Sequence, residues 1–249
     1  MLTYWAMFVL PALAALMMET QRTGTVPVDQ AETPVGAWVA VGFVLTLLIG
    51  FRYEVGGDWF NYFHYLDDVA GLMLDEVILN SDPGYQVLNW LSLELDLDIF
   101  GVNLMAGAIF AIGLVFFCRS LPRPWLGLAV AVPYLVIVVS MGYARQGVAL
   151  GLAMLGLVAL GKGATGRFVL WVMLAATFHK TAVLLLPLAA LAAAQNRFVA
   201  IAWGVGSLAL GYWLFLEDSV GNLYKNYVEA EYQSSGAMIR LAMNLVPAV

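Results

Sequence analysis

The chain alternates long apolar runs with short polar breaks. Apolar runs of about 17–20 residues suit helices that cross a bilayer. The last run has only eleven residues before the sequence ends. At about 1.5 Å per residue it is too short to span, so we expect a truncated chain. The pattern predicts nine membrane segments, at residues 2–18, 35–51, 99–118, 125–141, 144–161, 168–178, 181–194, 198–216 and from 239 onward.

Composition supports a membrane protein. Of 249 residues, 62% are hydrophobic and only 11% are charged, whereas a soluble domain is nearer half apolar and a quarter charged. We therefore predict an all-α, polytopic transmembrane helical bundle forming one domain over residues 1–249. The net charge of −6 argues against a nucleic-acid partner. The single cysteine, Cys118, excludes an internal disulfide and a cysteine-based metal cluster, and we expect no metal and no cofactor.

Lysine and arginine placement predicts the orientation. Basic residues cluster in alternate connections, at 119–123, 162–167 and 197, which the positive-inside rule places in the cytoplasm. Loops 51–98 and 217–238 then face outward. Most of the basic residues on that outer side sit at helix ends, and a bound anion would explain them. They are Arg52, Arg145, Lys180, Lys225 and Arg240.

Loop 51–98 has the pattern of a folded segment. Residues 83–95 have the spacing of an amphipathic helix, with Asp82 near its start. We expect this helix to lie on the outer membrane surface through its apolar positions. These are Tyr85, Val87, Leu88, Trp90, Leu91 and Leu95.

The first candidate site residues follow the second apolar run. Arg52 could reach the lipid headgroups or grip an anion. Gly56 and Gly57 could form a backbone anion nest. Asp58 could be a general base or the ionic partner of Arg52, and pairing is favoured because an arginine keeps a carboxylate ionised. Tyr62 would share the face of Asp58 on a helix.

Two further motifs carry candidate chemistry. Arg145-Gln146 begins a predicted helix, and Arg145 is either interfacial or bidentate to a phosphate. The glycines Gly147, Gly151 and Gly156 suit close packing of that helix. His179 interrupts the apolar run 168–194 and is either solvated or an acid–base group.

Other candidates are less specific. His64 lies among aromatic residues and is either structural or sugar-stacking. Loop 217–238 has tyrosines and a glutamine that suit either a sugar or an interfacial aromatic belt, and Arg240 follows it. Arg52, Arg145, Arg240 and His179 come from distant segments yet fall on one face. Their convergence predicts a site for an anionic, lipid-linked ligand holding phosphate or pyrophosphate.

Four motifs in this order resemble the bacterial polysaccharide polymerases of the EpsG type, which are Wzy-like. They are Arg52-x-x-x-Gly56-Gly57-Asp58-x-x-x-Tyr62, Asp82-Pro83-Gly84-Tyr85, Arg145-Gln146 and Phe178-His179-Lys180-Thr181 with Pro187. The resemblance covers roughly residues 50 to 240. The family usually has Gly-Thr-Asp in place of Gly56-Gly57-Asp58 and continues with further helices beyond residue 249.

The resemblance implies a GT-C-like, metal- and nucleotide-independent glycosyltransferase in the bacterial cytoplasmic membrane. It would join undecaprenyl-pyrophosphate-linked repeat units outside the cytoplasm during exopolysaccharide, capsule or O-antigen synthesis, alongside a flippase and a chain-length regulator. His179 or Asp58 would deprotonate the acceptor hydroxyl. The pyrophosphate would be bound by Arg52, Arg145, Gln146, Arg240, Gly56, Gly57 and Tyr62.

Two other functions fit a chain of this composition. A transporter or flippase of lipid-linked oligosaccharide would need paired charges near the middle of the membrane, and the predicted spans carry almost none there. A non-catalytic envelope-assembly subunit would need none of the proposed chemistry. If substitution of these residues makes cells accumulate single, unpolymerised repeat units on the lipid carrier, the protein is the polymerase.

Overall fold

The computed structural model describes residues 2–19 and 34–188, together with positions 198, 201, 202, 205, 206 and 209. The helices lie in the compact unit Met1–Leu208. The described residues form only helices, turns and bends. The helices are α1 (Leu2–Glu19), α2 (Val35–Gly50), α3 (Asn61–Val69), α4 (Leu74–Ile78), α5 (Pro83–Glu94), α6 (Asp98–Ser120), α7 (Pro124–Ala131), α8 (Ala144–Gly161) and α9 (Thr165–Ala176), with a π-helix at Val132–Ser140 and a 3₁₀-helix at Lys180–Leu185.

The all-helical fold is confirmed, whereas the count of nine membrane segments is not. Among the described residues, only α6 and α8 are both long and apolar enough to cross a membrane. Four further apolar helices have 10–17 residues, at Leu2–Met17, Val35–Gly50, Pro124–Ser140 and Thr165–Ala176. The predicted segments 198–216 and 239 onward fall outside the continuously described ranges.

Helix α6 packs against α2, α5 and α8. Small residues permit close contact, as the glycine spacing on α8 predicted. A Cβ atom added at Gly151 would lie 2.7 Å from Phe110 Cα on α6, and one added at Gly156 would lie 3.3 Å from the Phe168 ring on α9. At the α2–α7 contact, the Trp38 and Trp125 rings stack with centroids 4.6 Å apart.

The helical run after α7 ends in a break before α8. Pro133 lacks the backbone N–H of a regular ladder, and the segment Val132–Ser140 is a π-helix. Met141, Gly142 and Tyr143 then separate this segment from the start of α8. Helix ends leave carbonyl and N–H groups without partners in their own helix. This break therefore offers backbone groups to the loop that follows α2.

Loop 51–98 is folded, as predicted, into α3, α4 and α5. The predicted amphipathic helix is α5, and its predicted place on the outer membrane surface stays a prediction. Helix α5 packs against α6, α4 and α3. The face that it buries combines one tyrosine with polar side chains, because contacts with other helices rather than an apolar surface decide its rotation. The buried residues are Tyr85, Gln86, Asn89 and Ser92.

The contact between α6 and α8 yields a stability prediction. Gly151→Ala should destabilise the protein by about 1–3 kcal/mol, because the added methyl group would overlap the α6 backbone. Gly161→Ala is the matched control on the same helix, since a Cβ there meets nothing within 4 Å. Thermal unfolding of the detergent-solubilised protein measures both. Equal unfolding temperatures for the two variants would contradict the packing argument.

Candidate functional site

Arg52 leaves the end of α2 and turns into the protein. Its side chain is buried, at 4% exposure, so it does not extend to lipid headgroups. Nη1 donates hydrogen bonds to the carbonyl oxygen of Ile49 at 3.1 Å and of Ser140 at 3.5 Å. Nε and Nη2 have no partner among the described residues. Burial lowers the pKa of Arg52, and a bound anion would offset that cost of desolvation.

The predicted pairing of Asp58 with Arg52 is wrong. Within the described part of the chain, the hydrogen bonds of the Arg52 guanidinium go to backbone carbonyls, and Asp58 forms no ion pair with it. Asp58 instead belongs to the turn that begins α3, where its carbonyl accepts a hydrogen bond from Tyr62 N at 3.2 Å.

Gly56 makes a close backbone contact. It has φ +99°, and a Cβ there would lie 2.6 Å from Gly142 Cα in the break before α8. Only glycine allows both the conformation and the approach. Gly57 is exposed, and a Cβ there would meet nothing within 4 Å. An anion nest at this pair stays a prediction.

Three tyrosines form a cluster between the motifs. The ring of Tyr85 lies 5.9 Å from that of Tyr62 and 5.8 Å from that of Tyr65, and the latter two are 6.3 Å apart. The hydroxyl of Tyr62 accepts a hydrogen bond from Ala144 N at 2.8 Å. That bond satisfies a free N–H at the start of α8. Burial, and next the charge of Asp58, raise the pKa of Tyr62 to about 12, so its hydroxyl remains protonated.

Arg145 has a different environment from Arg52. Nη1 forms a salt bridge with Asp82 Oδ2 at 2.8 Å, and its guanidinium carbon lies 4.7 Å from the centre of the Tyr65 ring. The side chain is 28% exposed, so a ligand can reach it. Asp82 precedes α5 with φ +54° and uses its carboxylate for Arg145 rather than for a helix cap. Gln146 is exposed.

The motif Asp82-Pro83-Gly84-Tyr85 brings His179 to this site. Gly84 N donates to Thr177 O at 3.0 Å, and a Cβ on Gly84 would lie 2.8 Å from the Phe178 ring. His179 is half-buried and follows directly. Burial lowers its pKa; the charge of Asp82 opposes that effect and the charge of Arg145 adds to it.

Arg52 and Arg145 lie within electrostatic range of the same two tyrosines. Both positive charges act on the hydroxyls of Tyr62 and Tyr85. The structure thus brings together residues from all four sequence motifs, with His179 within electrostatic range of Asp82 and Arg145. His64 is exposed on α3, whereas Arg240 and loop 217–238 lie outside the described residues. No three His, Cys, Asp or Glu side chains are grouped as metal ligands in the part of the chain that the structure describes.

Sequence reasoning missed several members of this site. Asp82 and Tyr85 belong to a motif that we quoted, but no site role followed from their spacing. Tyr65 and Ser140 gave no signal, because their importance comes from contacts with residues far away in sequence. A polar motif immediately before a helix was the available signal for Asp82.

The environment of His179 yields a pH prediction. Its imidazole should titrate below the ordinary value of 6.5, because burial disfavours the charged form. Asp82→Asn should lower that pKa further, because it removes a negative charge that stabilises the protonated ring. The chain has only two histidines, so histidine NMR signals in a pH titration can be assigned with His64→Gln. An unchanged or raised pKa in Asp82→Asn would contradict the arrangement.

Comparisons with known proteins identify the family. No curated protein and no solved structure matches the chain significantly. The sequence profile of the EpsG family matches residues 36–249, which include every site residue described above. The apolar helices agree with a membrane protein. By this match over most of its length, the chain belongs to the EpsG family.

Proposed function

We propose that this protein is a polysaccharide polymerase that joins undecaprenyl-pyrophosphate-linked repeat units at the outer face of the bacterial cytoplasmic membrane. The observation that carries the proposal is that Arg52 and Arg145, from distant parts of the chain, both act electrostatically on Tyr62 and Tyr85. Two fixed positive charges suit a ligand with two phosphates. Membership of the EpsG family supports a role in exopolysaccharide synthesis.

The proposed reaction transfers the growing glycan between carriers. A hydroxyl oxygen of the acceptor unit attacks the anomeric carbon of the donor, and the bond from that carbon to the phosphate oxygen breaks. Undecaprenyl pyrophosphate leaves with both bonding electrons, and the hydroxyl proton passes to a base. Arg52 and Arg145 stabilise the negative charge that develops on the leaving group.

His179 and Asp58 both remain candidates for the base. The lowered pKa of His179 favours its neutral form near pH 7, as a base requires. The electrostatic effect of Arg145 on His179 supports a role for His179 near the proposed phosphate site. Asp58 forms no ion pair with Arg52, so its carboxylate is also available.

Asp82 competes with the substrate for Arg145. The carboxylate of Asp82 pairs with Nη1 of Arg145, and an incoming phosphate must share or replace that contact. The stacked Tyr65 ring keeps the guanidinium in place during the exchange. Both arginines lie at helix ends rather than at the centres of apolar helices, which disfavours the transporter.

Alanine substitutions test the function in cells that make the polysaccharide. Arg52→Ala, Arg145→Ala and His179→Ala should each cause single repeat units to accumulate on the lipid carrier, with polymer reduced at least about 100-fold. Chain length and carrier-linked intermediates would be measured at matched protein level. The controls are Arg167→Ala and His64→Ala, which change exposed residues of the same types. Normal chain length in all three site variants would refute the polymerase.

A conservative change tests how Arg145 binds. Arg145→Lys keeps the charge but loses the planar fork and its stacking on Tyr65. We expect about 10- to 100-fold less polymer, with Arg167→Lys as the control. Chain-length analysis of extracted polysaccharide measures it. Full activity of Arg145→Lys would mean that charge alone is sufficient.

A further inference from the structure

An apolar cavity lies between α6 and α7 and has no part in the proposed reaction. Its volume is about 550 Å³. Helix α6 lines it with Leu114, Phe117 and Cys118, which share one face of that helix, and α7 lines it with Leu126 and Val130. The side chain of Val130 is 70% exposed. The cavity is therefore a groove that opens on the outside of the helices.

A second apolar cavity, of about 300 Å³, lies against α7 and α1. The α1 residues that line it include Ala12 and Leu16. Leu126 and Val130 line both cavities, so these two side chains form a ridge between two neighbouring grooves. Atoms that line an unfilled groove lack dispersion contacts, which an acyl chain in each groove would supply. The pair of grooves thus matches a lipid with two acyl chains.

Arg123 places a positive charge at one end of the larger groove. Among the described residues that line this groove, Arg123 alone is charged. It is exposed, and it directly precedes Pro124 at the start of α7. Leu126 and Val130 follow at intervals of three and four residues, the spacing of neighbours on one helix face. A headgroup bound at Arg123 would therefore direct its two chains along the ridge.

The length and charge of this surface suit one leaflet of a bilayer. From Arg123 to Leu135, the last lining residue along the chain, the helical run rises by roughly 15–18 Å. Half of a hydrocarbon core of about 30 Å is about 15 Å. Arg119, in the last turn of α6, adds an exposed positive charge near the same end. Basic residues at the headgroup level favour an anionic lipid over a zwitterionic one.

The two grooves are remote from the candidate site. Arg123 precedes the helical run 124–140, whereas Ser140, whose carbonyl accepts a hydrogen bond from Arg52, ends it about 25 Å further along. We propose that the grooves on either side of Leu126 and Val130 bind one diacyl phospholipid with an anionic headgroup, whose phosphate pairs with Arg123. This site does not depend on the protein being a polymerase.

Lipid retention tests the headgroup contact. Native mass spectrometry of the full chain in detergent would compare phosphatidylglycerol with phosphatidylcholine of the same acyl chains. The wild-type protein should retain one phosphatidylglycerol about ten-fold more tightly, because only that headgroup is anionic. Arg123→Ala should lose most of this preference. Arg167→Ala is the matched control and should keep it, because Arg167 is an exposed arginine on α9 that does not line the groove.

A bulky residue on the ridge tests the contact with the acyl chains. Val130→Trp should fill part of both grooves and weaken retention of both lipids by about ten-fold, because it displaces methylene groups from them. Leu170→Trp is the matched control, since Leu170 is a similarly exposed apolar residue on α9, at 66%. Because both positions are exposed, thermal unfolding without added lipid should give equal unfolding temperatures for the two variants.

Several outcomes would overturn the phospholipid site. Equal retention of the two lipids by the wild-type protein, or an unchanged preference in Arg123→Ala, would show that Arg123 does not bind the headgroup. Wild-type retention by Val130→Trp would place the lipid elsewhere. Displacement of phosphatidylglycerol by equimolar undecaprenyl phosphate would assign the grooves to the carrier lipid. A dimer that Val130→Trp dissociates would assign them to a second copy of the chain.

Discussion

Arg52 keeps its guanidinium out of water, and a buried positive charge costs several kcal/mol unless acceptors surround it. Its acceptors are two backbone carbonyls that are available because two helices end nearby. Ile49 O belongs to the last turn of α2, and Ser140 O ends the π-helix before α8. The close contact of Gly56 with Gly142 holds the loop after α2 against that same break. The placement of Arg52 thus depends on where two helices end and on the loop that is held against one of those ends.

The second arginine complements the first. Arg52 is closed to solvent with two donor atoms left over, whereas Arg145 is accessible and already paired with Asp82. Tyr62 anchors the tyrosine cluster, because its hydroxyl accepts a hydrogen bond from Ala144 N, the first residue of α8. A ligand that binds both arginines must therefore share or replace the contact of Asp82 with Arg145, and it must accept hydrogen bonds from Nε and Nη2 of Arg52. This combination favours a specific anion over general attraction of lipid headgroups.

Helix α5 shows how far sequence reasoning reaches. Its existence, and its start after Asp82, followed from a proline at the first turn and helical spacing. Which of its residues are buried against other helices did not follow, because the spacing along one helix does not show which neighbours it packs against. Helix α5 packs against other helices, and its polar residues Gln86, Asn89 and Ser92 are among those that it buries there. A polar face turned inward is a departure from local rules that functional sites often show.

The sequence by itself determined the helical membrane-protein class, the bounds of α6 and α8 to within two residues, and the four motifs that carry the family resemblance. These depend on local composition and spacing, which the chain displays directly. The tertiary structure decided that Asp82 rather than Asp58 pairs with an arginine, and that Arg52 is buried against the carbonyls of Ile49 and Ser140. Asp82 and Arg145 are 63 residues apart. A contact of that kind is fixed only when α5, α8 and the turn before His179 pack together, and local spacing carries no information about it.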